Sequence, residues 1–370
     1  MLKFTIEPYD VLFFGSGKPF NIGSNVKSIF PPFPHSFAAA VYAKFVAEKG
    51  NTIQNDKGIY KAVYGPFIEK NGIIYFPTPC DILKEKKKED FENIRVARRY
   101  EQNQFKLINI GDTDLENKIN SLIWAKPEQG ESHDFEVFKG FISVEGLKKW
   151  YNGENIDKED LLKFTDVFVR DERVSIRIDH ATGTVQSEDG LYRENYLQLK
   201  KDIKFVFWIE PDFVDNSLLR EKNIENEKKF KEIFEKQPMV LKLGGETKTA
   251  KYSVEINDFK DLFNGFNKGN SEIKIILFLT QGIFYQRENT SQNRNNILDY
   301  FNSFLTGVID GYFICGINSK YNKDKYGKKT IRSIKPGSVV YLKDNLYTND
   351  IITFLNQNDS FIGSNLVLIK

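Results

Sequence analysis

Leu2, Phe4 and Ile6 alternate with Lys3, Thr5 and Glu7, the period-2 pattern of a half-buried strand. A glycine-lysine loop, Gly15-Ser-Gly-Lys18, follows it. Pro31, Pro32 and Pro34 then keep the chain extended until a helix starts near His35 or Ser36. Read over residues 36–48, that helix places Phe37, Val41 and Phe45 at spacing four with alanines between them. An apolar surface that wide predicts packing between two layers. Asn71-Gly72 marks a hairpin turn into a strand over 73–76, which Pro77 and Pro79 stop.

Periodicity weakens from 81 to about 200, which reads as an inserted arm. Within it, residues 84–90 are a charged run with the character of a solvated loop. Residues 141–150 have the pattern of a short strand followed by a helix. Order returns at 204–210, a continuous apolar run expected for a buried strand. A helix is expected within 216–236. Strands over 239–243 and 250–256 flank Gly244-Gly245 as a hairpin. Residues 264–270, rich in Asn and Gly, are the best linker.

Beyond the linker, strand 272–281, helix 294–306, strands 312–318 and 337–343, a short helix near 349–355 and a final strand over 362–369 give the order βαββαβ. The N-terminal part fits the same order once the arm is set aside. The expected fold class is therefore α+β. It comprises two ferredoxin-like domains, 1–263 carrying the arm at 81–200, and 264–370.

At 370 residues there is ample chain for two domains. A net charge of +2 means that any basic surface must be local. With 40% hydrophobic and 28% charged residues, the chain falls among ordinary globular proteins rather than disordered ones. Cys80 and Cys315 are far apart and outside any C-x-x-C spacing, so neither a disulfide framework nor a zinc site is expected. No apolar run reaches 18 residues and no signal segment opens the chain; the expected location is the cytoplasm. The 32 Phe and 17 Tyr are mostly core material, with some rings available for stacking on bases.

Four stretches carry candidate chemistry. Gly15, Gly17 and Lys18 offer exposed amides and a cation before a helix, a setting for an anion. Leu12 and Pro19 replace the glycine and the Ser or Thr of a nucleotide-hydrolysing P-loop, which argues against that reading; an ordinary strand-to-loop turn also fits. In the second stretch, alternation sends Val174, Ile176 and Ile178 to one face of a strand, Arg173, Ser175 and Arg177 to the other. Arg173 and Arg177, about 13–14 Å apart by strand rise, suit successive phosphates, or are simply solvated beside Asp171, Glu172 and Asp179. In the third, Gly244 and Gly245 stand between Lys242 and Lys248; a plain hairpin turn has the same composition. The fourth, residues 321–338, is strongly basic with two tyrosines, includes Lys329 and Arg332, and fits RNA backbone binding with occasional stacking.

Catalytic signatures are missing from the sequence. His35, His133 and His180 are the only histidines, and no H-E-x-x-H or G-x-S-x-G motif occurs. A metal-independent RNA cleavage would need a general base, for which His180 and then His35 are the candidates.

The residues Glu7-Pro-Tyr-Asp-Val-Leu-Phe-Phe-Gly-Ser-Gly-Lys-Pro-Phe20 and Phe30-Pro-Pro-Phe-Pro34 resemble the opening pattern of the third subunit of type III-B CRISPR (Cmr) effector complexes, within the RAMP superfamily. Residues 173–192, Leu241-Lys-Leu-Gly-Gly-Glu246 and Lys335-Pro-Gly-Ser-Val-Val-Tyr341 resemble further segments of that family. Its glycine-rich loop before the last strand is reduced here to Gly363 and its neighbours, and His35 stands where the family usually has a small polar residue. The resemblance implies a non-catalytic protein that holds the 5′ repeat-derived tag of the CRISPR RNA. The implied protein partners are the large Cas-ten-like subunit, the backbone RAMP subunit and the small subunit; no cofactor or metal is implied. Gly15, Gly17, Lys18, Lys27, His35, Ser36, Arg173, Arg177, Lys242, Gly244, Gly245, Lys248, Lys329 and Arg332 are the resulting candidates for RNA contact. The cations would neutralise phosphates and the glycines would donate amides. A metal-independent CRISPR RNA-processing endoribonuclease and a protein-only scaffold are the alternatives.

Overall fold

The computed structural model describes residues 1–15, 25–49, 59–86, 94–99, 123–124, 134–176, 178–185, 191–211, 224–266, 275–283, 304–309, 311–316, 330–342 and 363–370. In chain order the N-terminal elements are β1 (Leu2–Pro8), β2 (Asn25–Lys27), α1 (Pro34–Lys49), β3 (Tyr60–Lys70) and β4 (Ile73–Pro77). Then come β5 (Ile82–Glu85), β6 (Ile94–Val96), β7 (Arg98–Arg99), β8 (Ile123–Trp124), β9 (Phe135–Val137), β10 (Gly140–Ser143), α2 (Val144–Asn152) and β11 (Leu161–Lys163). β12 (Phe168–Ile176), β13 (Leu191–Leu199), β14 (Ile203–Pro211), α3 (Ile224–Phe234), β15 (Val240–Lys242) and β16 (Thr249–Ile256) follow. The C-terminal strands are β17 (Ile275–Phe278), β18 (Gly282–Ile283), β19 (Phe304–Val308), β20 (Tyr312–Gly316), β21 (Thr330–Ile334), β22 (Val339–Leu342) and β23 (Val367–Ile369). The molecule is a mixed α+β protein, rich in strands.

An eight-stranded antiparallel sheet, β11-β10-β4-β3-β14-β1-β16-β15, is its frame. At its centre, β16-β1-β14-β3 has α1 between β1 and β3 and α3 between β14 and β16, so each helix crosses over one intervening strand. β14 carries apolar side chains on both faces, which explains its unbroken apolar run. Phe205, Phe207 and Ile209 join Leu2, Phe4 and Ile6 under α1 and α3. Val206 and Trp208 point the other way, into a second core with Phe67, Trp150 of α2, and Leu277, Leu279 and Val339 of the C-terminal strands.

The C-terminal sheet has the order β19-β22-β17-β23, so its second strand is β19. The expected helix over 294–306 therefore ends in a strand at 304–306, the rest of it lying outside the described residues. The strand expected at 312–318 appears as β20, in a separate sheet with β21 and β18. The helix expected near 349–355 lies outside the described residues.

Three further expectations change. Residues 140–163, read as part of an inserted arm, supply β10 and β11 to the main sheet and α2 to its second core. α1 packs on one sheet face only; Ala39, Ala43 and Ala47 form an exposed row, because alanine reads as apolar yet has little surface to bury. Phe266, inside the expected linker, is a buried core residue.

The C-terminal strands dock through one turn. Cys80 N donates to Gly337 O at 2.7 Å, and Gly337 N donates to Phe278 O at 2.7 Å. Gly337 has φ +87°, and a Cβ there would lie 2.5 Å from the Thr78 carbonyl oxygen.

A candidate nucleic-acid interface

The chain leaving β1 is pinned to β13. Leu12 and Leu197 exchange both backbone hydrogen bonds, each 2.8 Å. Phe14 N donates to Ser28 Oγ (2.9 Å), and Ile29 N to Phe14 O (2.9 Å). Ser28, almost fully buried, also donates its N–H to Asn195 O, and Arg170 Nη1 reaches the Ser28 carbonyl at 3.0 Å. β2 then runs parallel to β13, with Lys27 opposite Asn195. One short stretch therefore enters and leaves the same strand.

The double-glycine turn closes on this loop. Gly245 N donates to Phe13 O at 2.7 Å. Gly244 has φ +81°, and a Cβ there would lie 2.4 Å from Phe13 O. Only glycine permits both the backbone conformation and the approach.

Cross-strand register supplies the rest. β12 and β13 pair so that Asp171 faces Tyr196 and Arg173 faces Glu194, which puts all four on one side of the ribbon. Arg173 Cζ lies 5.0 Å from the Tyr196 ring centroid and Lys248 Nζ 5.2 Å from it, within cation–π reach. The Phe13 ring is 5.7 Å away. The Tyr196 hydroxyl sits 3.0 Å from Glu194 Oε2 and also meets Glu246 Oε2. Burial, then the Glu246 and Glu194 carboxylates, push this phenol above its ordinary range, so it remains a neutral donor.

Carboxylates restrain both cations. Arg173 Nη2 pairs with Asp171 at 2.8 Å and approaches Asp10 at 3.9 Å, and Lys248 Nζ lies 3.5 Å from Asp10. The Val11 backbone N–H, and then the Lys248 and Arg173 charges, hold the Asp10 carboxyl below the usual carboxylate range. A depressed carboxyl contributes its pairing above its unfolded value of about 3.9 and loses it as pH falls through the folded value; at neutral pH Asp10 is ionised. It thus competes with any phosphate for Lys248 and Arg173. Asp10→Asn keeps an acceptor for the Val11 N–H and removes the charge. Its affinity for single-stranded RNA should rise about two- to fivefold, the scale of one surface ion pair, as measured by fluorescence anisotropy. Unchanged or weaker binding would show that Asp10 does not face the ligand.

The structure brings Gly15, Arg173, Gly244, Gly245 and Lys248 into one neighbourhood, with Lys242 exposed on the adjoining β15; Lys27, opposite Asn195, lies on the other face of the ribbon from Tyr196. Gly17, Lys18, Arg177 and Lys329 lie outside the described residues. Arg332 belongs to β21, which pairs with β20 and β18 in a separate sheet. His35 and Ser36 begin α1, where the His35 ring stacks on Phe33 at 5.3 Å and Ser36 N donates to Phe33 O. His180 is exposed in the turn at the ribbon tip.

The alternation expected for Val174, Ile176 and Ile178 holds, yet they are 62%, 49% and 47% exposed. Among the described residues no element covers this face. Sequence reading missed Tyr196, Asp10 and the 60% exposed Tyr9. Only the strand register shows that Tyr196 belongs with Arg173.

Among the described residues no group of three or more His, Cys, Asp or Glu side chains is placed to hold a metal ion. None of their helices is long and apolar enough to cross a membrane.

The chain is similar to several known proteins. A Cmr3 subunit of the CRISPR system CMR complex from Saccharolobus solfataricus is 25% identical over 270 residues, covering 70% of this chain and 65% of that protein. A chain of the type III-B Cmr-beta cryo-EM structure with cognate target RNA and AMPPnP aligns over 99% of this chain and 96% of its own, with 18% identity and a TM-score of 0.49. A chain of the type III-A Csm3-Csm4 crystal structure aligns over 100% and 99%, with 14% identity and a TM-score of 0.43. The model of the Cas_Cmr3 family of CRISPR-associated proteins matches residues 4–370, and the chain belongs to that family.

Proposed function

We propose that this chain is a non-catalytic RNA-binding subunit of a type III-B CRISPR effector complex, holding the 5′ tag of the CRISPR RNA. The observation that carries the reading is the convergence of Arg173 and Lys248 on Tyr196 beside the Gly244-Gly245 turn. Two cations held on the buried Tyr196 ring suit phosphate neutralisation along a single strand, and the neighbouring Tyr9, 60% exposed, is the ring available for sequence-tolerant stacking. In this reading the central β16-β1-β14-β3 order, and the same relative order in β23-β17-β22-β19, make the two halves ferredoxin-like units. The protein partners proposed are the large Cas-ten-like subunit, the backbone RAMP subunit and the small subunit. The exposed row Val174, Ile176, Ile178, Val185 and Leu191 supports protein contact on the ribbon's other face.

The test is tag RNA binding by the Arg173→Ala/Lys248→Ala variant across a salt series. Affinity should fall about tenfold or more, as expected for two charged hydrogen-bonding groups. The log–log salt slope should become shallower by about 0.7 for each phosphate of a single strand that is no longer neutralised. Equal affinity and equal slope would favour the protein-only scaffold. Cleavage of repeat RNA by the pure protein without metal, abolished in His180→Ala, would favour the endoribonuclease.

A further inference from the structure

A second site lies at the seam where the C-terminal strands dock on the main sheet. There a cleft of about 190 Å³ opens between the turn before α1, the Pro77–Cys80 corner, the approach to β10, and the Lys335-Pro336 turn. None of its lining residues belongs to the Arg173–Lys248 surface.

Two cations line it, Lys139 and Lys335, and the Glu136 carboxylate feels the Lys139 charge. Phe30, Phe138 and Phe164, with prolines between them, make the walls. Thr78 lines it too, is 5% exposed, and its hydroxyl has no hydrogen-bond partner among the described residues. The Thr78 N–H donates to Gly140 O at 3.2 Å, and the side-chain oxygen is the atom left without a partner. A buried polar atom without a partner carries a cost of about 1–3 kcal/mol unless something meets it.

We propose that this cleft binds one nucleotide. The base would lie against the phenylalanine and proline walls with a polar edge on the Thr78 hydroxyl, and the phosphate would sit between Lys139 and Lys335. The size supports a single unit: whole small ligands occupy pockets of about 300–1,000 Å³, so this cleft takes part of one, such as an unstacked base. The nucleotide could be free or one residue of an RNA chain, and only the second source rests on the RNA-binding reading above.

The experiment uses the full chain with two probes, uridine 5′-monophosphate and a single-stranded RNA octamer. Binding is measured by calorimetry for wild type, Lys139→Ala/Lys335→Ala, and Thr78→Val, which keeps the shape and removes the hydroxyl; melting curves check folding. The double variant should weaken the responding probe about tenfold or more, as for hydrogen bonds to charged groups, and Thr78→Val should weaken it severalfold. Binding of both probes identifies a free-nucleotide site, and binding of the octamer alone, weakened in both variants, identifies an RNA residue. If neither folded variant weakens either probe, the proposal is overturned. Failure of the Arg173→Ala/Lys248→Ala test together with weakened binding in these variants would remove the other surface and leave the cleft.

Discussion

Gly244→Val will loosen the double-glycine turn from the opening loop and destabilise the protein by roughly 2–5 kcal/mol, the combined scale of backbone strain and a broken buried hydrogen bond. The backbone there is at φ +81°, and the new Cβ would meet Phe13 O at 2.4 Å. A β-branched residue is the worst choice for this left-handed conformation. Either the turn changes conformation or Phe13 retreats, and both break the Gly245 N–H to Phe13 O bond. The loss extends to binding, because this turn positions Lys248 over Tyr196. Denaturant unfolding should show a lower midpoint with an unchanged slope, and tag RNA affinity should fall together with it. A Gly244→Val protein with wild-type midpoint and affinity would mean that the turn is not held against the loop in solution.

Gly337→Val should act at the other end of the chain with similar force. The φ of +87° and the 2.5 Å approach of its Cβ to the Thr78 carbonyl oxygen strain the turn that joins the C-terminal strands to the main sheet. Two backbone bonds run through Gly337, from Cys80 N and to Phe278 O. Behind them lies the shared core of Leu277, Leu279, Val339 and Tyr341 against Val206 and Trp208. A cost of roughly 2–5 kcal/mol is expected, on the same grounds of strain and broken bonds. Hydrogen exchange should localise the opening to β17 and β22 while β1 and β14 stay protected. Uniform loss of protection across both sheets would show that the two sheets unfold together.

What the sequence made legible were elements with a strong local signal. β1 has clean alternation, α1 has proline before it and spacing-four aromatics, and the β3–β4 hairpin has Asn71-Gly72, both at positive φ. β14 was readable because both of its faces are buried. β10 and β11 were not placed in the sheet, since strands of four and three residues carry too little periodicity to reveal their neighbours. The β12 alternation was right about which residues share a face, yet alternation cannot say whether that face is covered. In the C-terminal part, the apolar run at 304–308 looked like a helix end, because its pairing with β22 depends on residues more than thirty positions away.

The interface was legible in pieces and not as a whole. The opening loop, the arginine strand and the double-glycine turn each stood out, and each had a bland explanation when taken alone. Their meeting depends on the β12–β13 register and on the Phe13–Gly245 bond, neither of which leaves a local mark. Asp10 is a case in point: in sequence it is one acid near a strand end, whereas in space it sits between Arg173 and Lys248 and tempers both.

The most direct test of one RNA surface built from these pieces is photo-crosslinking of tag RNA in the assembled effector complex, followed by peptide mapping on this chain. Crosslinks should fall on Tyr9 and Phe13 and on the peptides carrying Arg173 and Lys248, and should diminish together in Gly244→Val. Crosslinks confined to the C-terminal strands, with none on these residues, would contradict the account.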